Sequence, residues 1–450
     1  MRFPNLLATR NGRLAAFFFL YLTEGIPLGF TATAVATQMR RQGLGPAEIG
    51  AFVGSLYLPW AFKWAVGPFV DVFSSERFGR RRVWIVAMQC LMVASLMVAL
   101  PVHFTTQIKL FTLLILVHNA FGATQDVAID ALAVNTLRED ERGLANGLMF
   151  GGAYLGQTLG GAGVLFLTPH TGFSNTYFFV AASILAVTLL VALPIREAQG
   201  PPRERAEGSA LAAAGREIGR FAVDSFRAFV GTRGAFVGLV IALLPAGAYA
   251  LGLALQSNLA VELGLNDTQV GLLNLWSTVI SALGCVAGGW LSDRFGRRRM
   301  LALYLVGTAL PTLWLAWAMQ QWHWIMPVSP QAANRPVPAA LLVSTFWWMV
   351  QLYSAAQGLM YGTRSALFMD VTTPRVAATQ FTAYMALLNF VTSYSATWQG
   401  WAVERWGYPL TLAADSVAGL LCIALLPLMS PAAKRGTPPV GAMVPEAIEP

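Results

Sequence analysis

Charge is what this chain of 450 residues has least of: 12% of its residues are Asp, Glu, Lys or Arg, whereas 56% are hydrophobic. Soluble domains carry about a quarter charged residues, so a water-soluble fold is excluded. Cysteine and histidine are scarce as well. Cys90, Cys285 and Cys422 all fall within apolar runs and form no CxxC, which excludes a disulfide framework and a thiolate metal site. His103, His118, His170 and His323 are scattered, without an HExxH or comparable ligand set. An enzyme would need a nucleophile, a metal set or a base paired with a donor. None is present, and neither a metal nor a cofactor is expected. A sensor would add a soluble domain, for which no segment is long enough.

What the chain does have is apolar runs of span length. Crossing the hydrocarbon core takes roughly 20 apolar residues per helix. Twelve such windows follow one another, at 14–36, 47–70, 83–102, 110–135, 143–168, 174–195, 234–260, 268–292, 300–319, 338–369, 376–402 and 408–430. The first run continues past signal-peptide length into Glu24 and Pro27, so it reads as a span and not as a cleavable leader. The expected fold is an all-α integral membrane protein.

The net charge of +8 raises the question of nucleic acid, but its placement answers it. On this scheme 23 Lys/Arg lie on one set of loops and termini, five on the other set and two inside helices. Such a bias is the positive-inside pattern, which puts both termini in the cytoplasm. Arg80-Arg81-Arg82 and Arg297-Arg298-Arg299 then read as topology anchors, and no nucleic-acid partner is expected.

Residues 25–82 are repeated, with small insertions, as 243–299. Pro27, Gly29 and Gln38 fall on Pro245, Gly247 and Gln256, and Gly43-Leu44 falls on Gly264-Leu265. Both copies end in Arg-Phe-Gly-Arg-Arg-Arg. The simplest account is two halves of six helices, at 1–195 and 233–430. The polar segment 196–232 between them is either an amphipathic surface helix or a solvated linker; the proline-rich tail 431–450 is expected to be disordered. Pro27 and Pro245 are expected to kink the first and seventh spans, and Gly156, Gly160, Gly161 and Gly163 to permit close helix packing. His118-Asn119 reads as a buried, hydrogen-bonded pair.

The repeated junction consists of Gly67, Asp71, Arg77, Gly79, Arg80 and Arg81, and again of Gly289, Asp293, Arg294, Gly296, Arg297 and Arg298. It resembles the cytoplasmic loop signature of the major facilitator superfamily. A glycine there lets helices approach, and the aspartate and arginines can make charge-assisted contacts that lock one gating state. A narrower resemblance lies in Phe19–Gly29, in Leu56–Trp64 with Gly67–Asp71, and in Ala123–Asp130. These segments are similar to the peptide/acetyl-CoA/drug transporter family, which includes AmpG-type muropeptide permeases. Ala378-Thr379-Gln380-Phe381 is similar to the same pattern.

Ionisable groups inside a bilayer are costly unless paired or wetted, so they are functional candidates. Five stand out: Glu24, Lys63, Asp126, Asp130 and Arg364. With a rise of about 1.5 Å per residue from the cytoplasmic ends, Lys63, Asp130 and Arg364 come to roughly 12 Å depth. Glu24 and Asp126 come to about 16–18 Å, and all five are expected to share one cavity. Asp126 and Asp130 project from one helix face and repel unless a cation intervenes. On these depths Asp130 pairs with Lys63 or Arg364, leaving Asp126 first and Glu24 second as the proton-coupling group. Glu24 aligns with Ala242 and Lys63 with Cys285; retention of scaffold but not charge favours a substrate or proton role in the N-terminal half.

The resemblance implies a proton-coupled, alternating-access importer of a small organic solute. The expected setting is a bacterial cytoplasmic (inner) membrane, with the protein multi-pass and monomeric. A muropeptide-like compound comes first as substrate, a siderophore second and acetyl-CoA third.

Overall fold

The computed structural model describes residues 5–72, 79–138, 141–197, 210–371 and 377–429, with helices and no strand among them. In hydrocarbon, backbone N–H and C=O groups must be satisfied within the segment, which the helix achieves. The helices fall into twelve long segments. In the first half these are α1 (Arg10–Arg41), α2 (46–72, in four pieces), α3 (Arg82–Ala99), α4 (Ile108–Thr136), α5 (142–171) and α6 (Phe173–Ala192). The second half holds α7 (233–262, interrupted), α8 (Asp267–Phe295), α9 (Arg297–Gln321) and α10 (Ala340–Val371). It ends in α11 (377–406) and α12 (408–425), separated where Gly407 turns to φ 80°. Seven continuous helices qualify as spans on length and apolarity alone, α11 and α12 counting together. Segments α2 and α7 fall short because they are in pieces, and α5 and α10, though continuous, because they are less apolar.

The sequence repeat reappears in backbone geometry. Gly43 and Gly264 end α1 and α7 with φ 93° and 87°. Each is followed by the same cap: Leu44 N–H donates to Met39 O at 3.1 Å, and Leu265 N–H to Ala260 O at 3.0 Å. Gly79 and Gly296 take φ 93° and 95° at the arginine-rich junctions. Positive φ at these points explains why glycine stands in both copies.

Small residues set the tightest contact, between α1 and α5. A Cβ on Gly152, Gly156 or Gly160 would strike the α1 backbone at Phe18, Leu22 and Ile26, and one on Gly25 or Gly29 would strike Ala153 or Gln157. Gly161 meets Asn274 of α8 instead, and Gly163 is open. The two prolines behave differently. Helix α1 runs through Pro27 without interruption and widens into a π-helical stretch at Phe30–Val35. Helix α7 stops at Leu243 and resumes as regular helix only at Ala254, with Gly247 at φ 79° in between.

The segment between the halves contains a helix, Ala210–Val230, whose apolar side is partly committed. Phe221 stacks on Trp64 of α2 at 5.3 Å, and Phe229 packs against Tyr384 of α11 at 5.0 Å. It therefore touches both halves. Val223 and Phe226 remain exposed. The tail 431–450 lies outside the described residues.

Candidate functional site

Four of the five intramembrane charges come together in the first half. Lys63 donates to Asp126 Oδ2 at 2.6 Å and stands 3.9 Å from Asp130 Oδ2. Tyr21 donates to the other oxygen of Asp130. Glu24 lies beside this pair, and its Oε2 is buried with no partner. Asp126 is 2% exposed, whereas the Asp130 side chain is 45% exposed, so water reaches the cluster from the Asp130 side. Beside it, the Thr23 hydroxyl accepts from Gln89 (3.1 Å) and Gln125 (2.9 Å), tying α1, α3 and α4 together.

This reverses the expected order of pairing: Asp126 is the nearer partner of Lys63 and Asp130 the more distant one. The depth estimate assumes an unbroken α-helix. Lys63 instead begins a 3-10 turn, Lys63–Ala65, after a break at Phe62, and a 3-10 turn rises by about 2.0 Å per residue. Over three residues that adds only about 1.5 Å, and the long lysine side chain covers the rest, its ammonium lying 2.6 Å from Asp126 and 3.9 Å from Asp130.

Arg364 is the fifth charge and stands apart, in α10. It is 5% exposed, donates from Nη1 to the Tyr249 hydroxyl at 2.9 Å, and its guanidinium lies 5.5 Å from the Tyr361 ring centre. Among the described residues it has no carboxylate partner.

A sixth intramembrane charge, Asp415 in α12, escapes the sequence reading and is fully buried. Its Oδ2 accepts the backbone N–H of Tyr249 (2.7 Å) and Ala250 (2.9 Å), and its Oδ1 accepts Gln399 Nε2 (2.7 Å). These are groups exposed by the break in α7. Thr308 takes the Ala248 N–H, and Tyr353 donates to the Ala248 carbonyl. The signal was available, since an aspartate inside the apolar window 408–430 is as anomalous as one in α4. The His118-Asn119 reading is closer: both are buried and bonded, His118 to Met92 O and Ser95, Asn119 to Ile115 O.

At the end of the molecule away from the arginine-rich junctions, ion pairs join the halves. Arg40 of α1 donates to Glu262 of α7 at 2.5 Å, to Leu44 O and to Val328 O. Tyr408 and the Val328 N–H complete the shell around Glu262. Arg41 and Gln38 hold Asp267. Neither latch was read from sequence, because Arg40 and Glu262 are 222 residues apart and both sit at loop edges.

At the junction end the described contacts of the arginines run within a half or to the segment between the halves. Arg297 donates to Asp293 (2.9 Å) and to Asp370 of α10 (2.6 Å), and Arg294 lies over Trp290 and Phe295. The Arg81 and Arg82 N–H groups donate to Glu197, and Arg81 also donates to Val70 O. Arg13 of α1 grips Glu141 with two nitrogens, and that hydrogen bonding holds the Glu141 carboxyl below its ordinary pKa. Arg77 and the Asp71 side chain lie outside the described residues. A Cβ on Gly67 or Gly289 would meet nothing within 4 Å, so the helix approach expected at these glycines is not made in this state; Gly288 makes it instead, against Leu359. The latches thus join the halves at one end, while towards the other α5 and α8 leave Phe150, Leu283 and Val286 exposed.

A family model described as Major Facilitator Superfamily matches residues 14–247 and 237–447. The anhydromuropeptide permease of Escherichia coli K12 is 24% identical over 431 residues, covering 91% of this chain and 79% of the relative. Putative transporter AmpG 4 of Rickettsia conorii is also 24% identical, covering 69% and 75%. Among solved structures, the inward-open xylose transporter XylE from E. coli aligns with a TM-score of 0.67 at 14% identity, covering 95% of this chain and 98% of XylE.

Proposed function

The chain belongs to the major facilitator superfamily, and from that premise we propose that it is a proton-coupled importer of an anhydromuropeptide-like solute across a bacterial cytoplasmic membrane. The observation that carries the coupling is the buried carboxyl of Glu24 beside the Lys63-Asp126 pair. Lys63 neutralises Asp126 and leaves Glu24 as the carboxyl with no cation of its own. Taking up a proton at Glu24 removes a charge from the membrane interior and lowers the cost of turning the site between its two aqueous faces. The substrate class rests on the similarity to anhydromuropeptide permease, and the bacterial setting on the organisms of the relatives. The inequality of Lys/Arg across the loops supports a cytoplasmic junction end and cytoplasmic termini.

Uptake into proteoliposomes tests this reading, with labelled anhydromuropeptide, a ferric siderophore and acetyl-CoA supplied in parallel, with and without a pH gradient. Accumulation of anhydromuropeptide that requires the gradient is the expected result. Gradient-driven accumulation of another solute instead removes the muropeptide assignment, and accumulation indifferent to the gradient removes proton coupling. Orientation is checked separately: a cysteine at Gln321, but not one at Ser75, should react with an impermeant thiol reagent added from the periplasm.

A further inference from the structure

An unpaired guanidinium within a membrane domain is expensive, about 2.5–3.5 kcal/mol at the centre of a span on insertion scales. Arg364 is in that position. It is 5% exposed, its described polar contact is the Tyr249 hydroxyl, and its Nε is buried with no partner. Asp415 does not serve as its counterion: it makes no ion pair with Arg364, and its carboxylate accepts the Tyr249 and Ala250 N–H groups and Gln399 instead.

The surroundings are built. By holding the broken strand of α7, Asp415 fixes Tyr249, which in turn orients Arg364. Tyr361, one helical turn before Arg364, covers the guanidinium with its ring and is itself 41% exposed. The first half holds the opposite charge balance, three carboxyls around a single lysine.

We infer that Arg364, with Tyr249 and Tyr361, forms an anion-binding subsite of the transport cavity that takes a carboxylate of the solute. A carboxylate matches the guanidinium fork in charge and geometry and can reach the unpartnered Nε. A phosphate has the same chemistry. The inference rests on the importer reading only for the choice of probe. Asp415 acts as a positioning residue.

Binding to the purified full chain in nanodiscs tests it, with four probes: anhydromuropeptide with free carboxylates, its carboxyl-amidated form, acetyl-CoA as the phosphate source, and neutral N-acetylglucosamine. The wild type should bind an anionic probe at least about tenfold more tightly than its neutral counterpart, the size expected for charged hydrogen bonds. Arg364→Gln should erase that preference, and Arg364→Lys should keep part of it. If acetyl-CoA carries the preference and muropeptide does not bind, the subsite stands with phosphate as its ligand while the proposed substrate falls. Equal binding of the charged and neutral forms overturns the subsite. So does absence of binding by every anion, or a preference that survives Arg364→Gln. A guanidinium that serves only to pair with a carboxylate in another conformation predicts equal loss for both forms in Arg364→Gln, which also overturns it. Should Arg364→Gln fail to fold, the wild-type comparison together with Tyr249→Phe, expected to weaken only the anionic probe, decides.

Discussion

Helices α1 and α7 occupy equivalent places in the repeat, each with a proline two residues before a glycine, yet one is continuous and the other is broken. Pro27 removes one donor, yet α1 continues past it into a π-helical stretch over Phe30–Val35, with Thr31 donating to Pro27 O at 2.7 Å. Around Pro245 the chain leaves the helix for ten residues. The difference is in the neighbours and not in the proline. Irregular backbone survives at membrane depth only where protein satisfies its polar groups, and Asp415, Thr308, Tyr353 and the Gly419 carbonyl do so around α7. Against α1 stand instead the glycines of α5, which offer backbone and no side chain. The first half therefore keeps a rigid helix and directs its ionisable groups at one another. The second half commits its carboxylate to backbone, and its arginine is left without a charged partner.

The comparison breaks most severely at Asp415. Asp415→Ala leaves two buried N–H groups unsatisfied and is expected to cost about 2–5 kcal/mol, enough to lower the yield of folded protein and its thermal midpoint in detergent. Asp415→Asn keeps an acceptor oxygen and should cost less. Unchanged melting of Asp415→Ala would show that the α7 break is held by other contacts. Glu24→Gln tests the other half. Its Oε2 has no partner, so melting should change little, while uphill accumulation in response to a pH gradient should vanish and exchange down the solute gradient persist. Retained accumulation would pass the coupling role to Asp130, the exposed carboxyl of the cluster.

What was legible follows from what repeats and from what is chemically out of place. The spans, the junction loops and the turns at Gly43 and Gly264 recur in both halves, and four acids and bases in the first half were visible as charges in apolar runs. Asp415 was equally anomalous but has no motif around it. Which aspartate Lys63 prefers could not be read, because its side chain is long enough to reach either of two carboxylates one helical turn apart. The Arg40-Glu262 latch joins two loop edges across the whole repeat, a pairing that depends on which conformation the protein adopts.

That latch supplies an intermediate effect. Arg40→Gln removes the guanidinium that holds Glu262, Leu44 O and Val328 O, while Tyr408 and the Val328 N–H still satisfy Glu262. The loss falls on the state closed at this end. A shift of about tenfold towards opening there is expected, equivalent to roughly 1.4 kcal/mol. Spin-label distances between α1 and α7 at that end read it, and an unchanged distance distribution removes the latch from the gating cycle.

The smallest effect is predicted at the two junction glycines, Gly67 and Gly289, and it separates folding from gating. In this state a methyl group at either position meets nothing within 4 Å, whereas one at Gly288 would strike the Leu359 backbone. Gly288→Ala should therefore destabilise the protein. Gly67→Ala and Gly289→Ala should be neutral or slightly stabilising, by about 0.5–1 kcal/mol, because alanine loses less conformational freedom in a helix. If the repeated glycines exist so that the junction ends can close together, that gain belongs only to the open state. The alanine variants should then melt no lower than wild type but spend more time open at the junction end, with slower turnover. Cysteine accessibility at Phe150 and Val286, exposed positions on α5 and α8, follows the population. Wild-type accessibility and turnover in both variants would mean that the glycines are tolerated and not required, and that closure of the junction end relies on the arginine contacts alone.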